Sequence, residues 1–361
     1  MATHFRALKI KDIRKETADC VSVAFDIPEE WKPEFQFSHG QNITVRTKLG
    51  GEELRRSYSI CSSPLENELR IAVKQIPAGR FSTHANQELI VGNLLDVMAP
   101  TGKFFTKLSS GHAKNYLAFA AGSGITPVIS IIKATLATEP QSHFTLIYGN
   151  RDRHSIIFRE ELEGLKNRYL SRFMIHHLLS REKTDVPINQ GRIDAAKCDE
   201  LFEKLIDPRW MDEIFICGPE SMIFSVRQAL ELQGIAKEKI HFELFTVPGQ
   251  TQTASNKINI GEKKHDAQKS RISIKVDGIS SEFDLAYEGD SILDAALKQG
   301  ADLPYACKGG VCASCRARLI EGEVDMTTNY ALEADELAAG FILTCQSHPR
   351  TELVKVDFDS K

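Results

Sequence analysis

Long apolar runs are missing from this chain of 361 residues, and none approaches the ~18–20 residues a membrane-spanning helix requires. A protein that spans a membrane on helices is therefore excluded. The opening stretch, Met1 to Ile10, alternates charged and apolar residues and lacks the apolar core of a signal peptide, which implies a cytoplasmic protein. Neither sign of charge dominates. Lys and Arg number 45 against 49 Asp and Glu, a net charge of −4, which argues against a nucleic-acid partner. Eight cysteines are too dilute for a disulfide scaffold. No segment repeats, so arrays and propellers are excluded as well. What remains is ordinary globular composition, 42% hydrophobic and 26% charged. At ~150 residues per domain, the length calls for two or three domains.

Three compositional regions follow one another. Residues 1–108 read as short strands, Phe5 to Ile13, Cys20 to Ile27, Asn42 to Leu49 and Leu69 to Gln75, punctuated by Pro28, Gly50-Gly51 and Pro77. That spacing predicts a small antiparallel β-barrel or sandwich. Over residues 109–246 the rhythm changes. Tyr116 to Ala121 is a fully apolar run, followed by a helix through Leu136, a strand Phe144 to Gly149, a helix around Arg159 to Tyr169, and strands Phe173 to Leu179 and Glu213 to Cys217. Strands alternating with helices predict an α/β domain on a parallel sheet. Residues 247–270 are polar, contain Pro and Gly and keep no period, as in a flexible linker. Residues 271–361 read as a compact α+β module: a hairpin (Arg271 to Val276, Glu282 to Ala286), a helix (Ser291 to Gln299) and strands at Arg316 to Val324 and Glu352 to Phe358. This last module is acidic, with nine Lys and Arg against sixteen Asp and Glu.

The strongest local signal lies there. Cys307, Cys312 and Cys315 share one tight loop, and Cys345 follows alone. Four thiolates at this spacing are the plant-type arrangement for a 2Fe–2S cluster. Gly309 and Gly310 can take the unusual dihedrals that turn backbone N–H groups toward sulfide. The competing reading, a zinc site, normally shows two separate short knuckles, and four incidental cysteines would have to fall on the pattern by chance. The remaining Cys20, Cys61, Cys198 and Cys217 are scattered.

Gly122-Ser-Gly-Ile-Thr-Pro127 follows a buried strand and opens a helix, the context of a dinucleotide-binding turn, with Pro127 in place of the third glycine. An ordinary tight turn would look similar, but the next strand sharpens the reading. It ends in Asn150-Arg151 and Arg153 follows, where an acid would hold a ribose 2′-hydroxyl; the third strand closes on Ser180-Arg181. Arginines here favour a 2′-phosphate, hence NADPH over NADH, against the alternative of solvated strand ends. Cys217-Gly218-Pro219 ends a further strand at the same carboxyl edge. In the first region, Arg56-Ser57-Tyr58-Ser59 occupies a strand and Gly79 to Thr83 opens a helix. Arginine can clamp a phosphate, a tyrosine ring can cover a flavin face, and a serine hydroxyl can reach a ring nitrogen.

With these modules in this order, residues 1–245 resemble the ferredoxin–NADP reductase superfamily, and residues 271–361 resemble plant-type ferredoxin domains of the β-grasp fold. The resemblance makes Cys307, Cys312, Cys315 and Cys345 the cluster ligands. It assigns flavin phosphate, ring and N5 to Arg56, Tyr58 and Ser59, with Ser57, Val73, Lys74, Gly79, Ser82 and Thr83 completing the flavin site. Gly122, Gly124, Thr126, Pro127, Cys217, Gly218 and Pro219 would line the nicotinamide pocket, and Asn150, Arg151, Arg153, Ser180 and Arg181 the remainder of NADPH. Tyr58, Ser59 and Cys217 are expected at the reacting centre, and Glu243-Leu-Phe245 is similar to the family's acidic–x–aromatic segment.

The domain order is similar to that of reductase components of bacterial oxygenases. Within these, Tyr148 to Arg151 and Ser155 to Glu161 are most similar to the phenylacetyl-CoA epoxidase reductases of aromatic catabolism. The phthalate dioxygenase reductase type shares the order but carries FMN; FAD is the expectation here. The implied route runs from NADPH through FAD and the 2Fe–2S cluster to diiron oxygenase subunits, with no nucleic-acid or membrane partner. Nicotinamide yields two electrons together, whereas the cluster accepts one, and a flavin bridges that mismatch. No general-base histidine is expected; His176 and His177 read as structural. Alternative readings are a reductase for another oxygenase or for a hybrid-cluster protein, a non-catalytic redox sensor, and a zinc-binding interaction protein.

Overall fold

The computed structural model describes residues 4–245 and 268–360. Residues 247–267 of the expected linker lie outside the described residues, and Lys269 and Ser270 already belong to a strand. Residues 6–54 and 58–245 form one compact unit, and residues 268–360 belong to a second. Among the described residues no helix is long and apolar enough to cross a membrane.

The amino-terminal region folds into β1 (Phe5–Thr17), β2 (Cys20–Asp26), β3 (Asn42–Leu49), β4 (Glu52–Ser59), β5 (Leu69–Lys74), helix α1 (Arg80–Gln87) and β6 (Leu94–Met98). The strands order as β4-β3-β6-β1-β2-β5, and an antiparallel bridge from Ile60 to Ile71 joins the two ends, as a barrel requires. Strand β1 runs past the expected Ile13 because shifts of register after Ile10 and Lys15 let it bend around the barrel. Side chains alternate across the wall. Val21, Val23, Ile71 and Val73 fill the barrel, while Cys20 and Ala72, on the opposite face, join the core of the following domain.

That domain is a parallel sheet ordered β11-β10-β7-β8-β9, from β7 (Asn115–Ala121), β8 (His143–Asn150), β9 (Phe173–Leu179), β10 (Glu213–Gly218) and β11 (Ile240–Leu244). Helices α2 (Ile125–Thr138), α3 (Arg159–Arg168), α4 (Ala195–Lys204) and α5 (Glu220–Leu232) connect them. The apolar run of β7 is central and buried on both faces, as parallel strands are. The chain moves outward from β7 through β8 to β9, then returns to β10 on the other side of β7. This reversal opens a crevice at the carboxyl ends of β7 and β10, the usual ligand position in such sheets. Helix α2 is apolar nearly all round because the sheet covers one side of it and the barrel wall the other.

The second unit contains a mixed sheet, β13-β12-β18-β14-β16. Its strands are β12 (Lys269–Val276), β13 (Ile279–Ala286), β14 (Arg316–Glu321), β16 (Phe341–Leu343) and β18 (Leu353–Asp357), with a small β15 (Val324–Met326) and β17 (Ser347–Pro349) pair beside it. Helices α6 (Ile292–Lys298) and α7 (Ala334–Ala338) complete the unit. Asp277 and Gly278 turn the β12–β13 hairpin with positive φ at both positions, and the Asp359 carboxylate accepts from both backbone N–H groups. Strand β18 pairs parallel with β12, and Ile272, Ile274, Val354 and Val356 bury their side chains against α6 residues Ile292, Leu293 and Ala296.

Candidate functional site

The four sequence-predicted cysteine ligands come together in the second unit. Their loop carries left-handed backbone at Lys308 (φ 52°), Gly310 (φ 75°) and Ala313 (φ 52°), which curls the chain around its own amides. Among the described residues no three His, Cys, Asp or Glu side chains converge on one ion position. The thiols are grouped as two pairs instead. The hydrogen bond from Cys312 holds the Cys307 thiol below its usual range, helped by the backbone N–H groups of Gly309, Val311 and Cys312, and the same bond pushes Cys312 up. Cys315 and Cys345 form the second pair, with Cys345 lowered by Cys315 and Cys315 raised in turn. Gly309 N lies 3.3 Å from Cys307 Sγ, and Gln346 Nε2 lies 3.6 Å from Cys345 Sγ. Two pairs of thiols inside a shell of N–H donors fit a two-iron cluster, whereas a zinc ion draws its ligands to a single point.

In the barrel, β4 delivers Arg56 to Ser59. Arg56 Nη1 donates to the Arg55 carbonyl at 2.7 Å, and the Tyr58 ring packs on Phe81 of α1 with centroids 5.5 Å apart. Ser59 is 3% exposed, and its hydroxyl donates to Glu243 Oε2 at 2.8 Å. This pair joins positions far apart in sequence. The hydroxyl expected to face a ring nitrogen thus already has a carboxyl partner. Part of Glu243 is accessible, but the protein around its carboxylate penalises the charge and pushes the group up to about 7, opposed by hydrogen bonds from Ser59 and Asn42. Asn42 carried no sequence signal; its place beside Glu243 depends on the barrel packing against the parallel sheet that carries β11. Phe245 is 39% exposed.

Gly79 begins α1 without a capping side chain, so the first-turn amides stay open to a phosphate. Ser82 Oγ instead ties the preceding turn, accepting from Ile76 N and donating to Gly79 O at 3.2 Å each. Thr83 Oγ1 accepts from Gln75 Nε2 at 3.4 Å. The Val73 side chain is in the barrel core, leaving only its backbone for a ligand, and its carbonyl accepts from Asn86. Lys74 Nζ sits within reach of Gly122 and 3.8 Å from Asp19.

The glycine turn, Gly122 to Gly124, runs directly into α2, which also lacks a capping side chain. Tyr148 OH donates to Gly122 O at 3.0 Å and Thr126 Oγ1 to Ser123 O at 3.0 Å, holding the turn, with Pro127 buried just inside the helix. A Cβ on Gly124 would stand 2.1 Å from the Cys217 carbonyl oxygen, so only glycine lets the turn approach β10 this closely. The Cys217 thiol is fully buried and pushed well up by burial and then by the Glu243 charge. Gly218 packs against Ala121, and Pro219 begins α5. Cys217 and Glu243 are register partners across β10 and β11. Ser59, Gly124, Cys217 and Glu243 therefore meet at one crevice.

Asn150, Arg151, Arg153, Ser180 and Arg181 also gather, since Ser180 N donates to Asn150 O at 2.9 Å and Arg181 N to Arg151 O at 2.8 Å. Two of the arginines already hold carboxylates: Arg151 pairs with Asp19 at 2.9 Å and Arg153 with Glu182. Neither pairing is written in the local sequence pattern, and one of the partners comes from the barrel.

Residues 7–106 match the oxidoreductase FAD-binding domain family, residues 119–228 the oxidoreductase NAD-binding domain family, and residues 274–350 the 2Fe-2S iron-sulfur cluster binding domain family. The chain is 45% identical to a component protein of the 1,2-phenylacetyl-CoA epoxidase of Escherichia coli (strain K12), over 99% of each chain. It is 31% identical to the ferredoxin reductase component of 3-ketosteroid-9-alpha-monooxygenase from Rhodococcus rhodochrous, over 97% of this chain and 96% of the relative. Phthalate dioxygenase reductase, whose structure is described as modular for electron transfer from pyridine nucleotides to 2Fe-2S, superposes with a TM-score of 0.58 at 25% identity over 98% of each chain.

Proposed function

The chain belongs to the family of flavin- and 2Fe–2S-dependent oxygenase reductases, and from that premise we propose that it takes electrons from NADPH and delivers them to a diiron oxygenase of the phenylacetyl-CoA epoxidase type. The observation that carries the chemistry is the meeting of Ser59, Gly124, Cys217 and Glu243, contributed by the barrel and both sides of the sheet reversal. The identity of 45% over 99% of the chain with an epoxidase component supports that acceptor. Four of the eight free cysteines are needed as reduced ligands, which supports a cytoplasmic setting.

Bound FAD supplies the conversion between a two-electron donor and one-electron acceptors, and the cluster supplies the single-electron outlet. The residues position and shield. Arg56 and the open amides at Gly79 to Ser82 bind flavin phosphate, and Tyr58 covers the ring. Gly122 to Pro127 and the Cys217-Gly218-Pro219 segment form the nicotinamide wall, where the missing Gly124 side chain permits close approach. Ser59 holds Glu243, whose carboxyl retains a proton near neutrality and can exchange it at the crevice without a histidine base. Arg151, Arg153 and Arg181 supply the charge that favours NADPH, offset by Asp19 and Glu182.

Anaerobic NADPH titration of the FAD- and iron-loaded protein tests the reading. The flavin band should bleach and a reduced 2Fe–2S signal should appear by EPR, more readily than with NADH. Absence of both changes would overturn it. A second purified oxygenase, such as a ketosteroid monooxygenase, turning over faster than the epoxidase would reassign the acceptor.

A further inference from the structure

Immediately after the flavin strand β4, the chain leaves the barrel as a turn, Ser62 to Glu66, that lies on α2. Ser130 Oγ of α2 donates to the Ser62 carbonyl at 2.6 Å, and both residues are buried from solvent. Three residues on, Lys133 Nζ contacts Glu66 Oε2 and Glu161 Oε1 at 2.9 Å each, although the lysine is only 9% exposed. Glu66 is itself held, because it accepts from Ser63 N at 2.7 Å in a capping box that closes the turn. Glu161 lies in the first turn of α3. Ser130 and Lys133 are spaced to share one face of α2.

None of these groups touches the crevice, yet both ends of the latch are short covalent distances from it. On one side the turn follows Tyr58 and Ser59; on the other, α2 is the direct continuation of Gly122 to Gly124. Apolar contact between barrel and helix, through Cys20, Cys61 and Ala72, tolerates sliding. A buried hydrogen bond and a lysine bound to two carboxylates do not, since displacement leaves charge unpaired out of water. A buried lysine held by two partly exposed carboxylates is a poor source of stability and a good source of register.

We propose that Ser130 and Lys133 are positioning residues for hydride transfer, fixing the nicotinamide turn against the strand that carries Tyr58 and Ser59. The inference rests on the NADPH-to-flavin reading above. The test is anaerobic stopped-flow bleaching of the full-length, FAD-loaded protein at saturating NADPH, with and without deuterium at nicotinamide C4. Lys133→Met should slow bleaching about ten- to hundredfold, the effect of a misplacement near 1 Å. It should also enlarge the deuterium effect and act on kcat more than on KM. Lys133→Arg should recover most of the rate. A variant with a lowered melting temperature but wild-type bleaching and isotope effect would overturn the proposal, leaving the triad a structural contact only. If Lys133→Met does not fold, Ser130→Ala and Glu66→Gln decide on the same readouts. Wild-type protein that NADPH fails to bleach would defeat the functional reading itself, a result distinguishable from failure of the latch.

Discussion

Glu243 shows what a single carboxyl gains from its surroundings. Burial raises it from 4.5 to about 7, and hydrogen bonds from Ser59 and Asn42 oppose that rise. The folded state therefore favours the protonated form. The associated stability is complete below about pH 4.5 and is lost as pH rises through about 7. Glu243→Gln removes the charge that burial penalises. The variant should match the wild type in thermal unfolding at acidic pH and exceed it above about pH 7. Wild-type flavin reduction should change around the same pH, whereas the variant's profile should be flat; an unchanged ionisation in the variant would assign it to another group. Acidic and aromatic residues at Glu243 and Phe245 were visible in the chain, but the bond to Ser59 was not. Nothing in local spacing links residues that only a closed barrel and a finished parallel sheet bring within 2.8 Å.

At the scale of elements, strongly periodic segments were legible and short polar ones were not. Strands β3 and β9 begin and end where their apolar patterns do. Strand β6 carries no clear pattern because it is five residues long with an exposed Leu94, and β11 carries none because an edge position lets His241, Phe242 and Glu243 stay partly accessible. The span from Arg316 to Val324, expected as one strand, is divided at Gly322 (φ 89°), where a Cβ would meet the Leu353 carbonyl. The same argument of space makes Gly124 the element-level test. Gly124→Ala places a methyl against the β10 backbone and should cost about 1–3 kcal/mol of unfolding free energy by denaturant titration. Because the strain pushes α2 and its turn off β10, the KM for NADPH should rise as well. A stability loss with unaltered KM would separate the turn from the nucleotide site.

For the whole molecule, the cluster module and the flavin–nucleotide unit are distinct bodies with distinct duties. Cys315→Ala removes one ligand from a set of four, so iron and acid-labile sulfide should fall together. NADPH should still bleach the flavin, and ferricyanide reduction should persist, while electron delivery to an oxygenase is lost. Loss of flavin bleaching in that variant would mean that the cluster module also supports the flavin site.

The sequence by itself determined the cofactor classes, a flavin, a nicotinamide nucleotide and a 2Fe–2S cluster, and the order of the modules. Three of the four expected cluster ligands, the glycine turn and the Arg56 to Ser59 strand are each written in a few neighbouring residues, where chain geometry dictates which groups can converge. Tertiary structure alone decided how these parts meet: the pairing of the thiols, the partners of Arg151 and Arg153, the contact of Ser59 with Glu243, and the latch at Ser130 and Lys133. Those contacts join positions far apart along the chain. Their existence depends on strand register and helix packing, which arise only when the cores close.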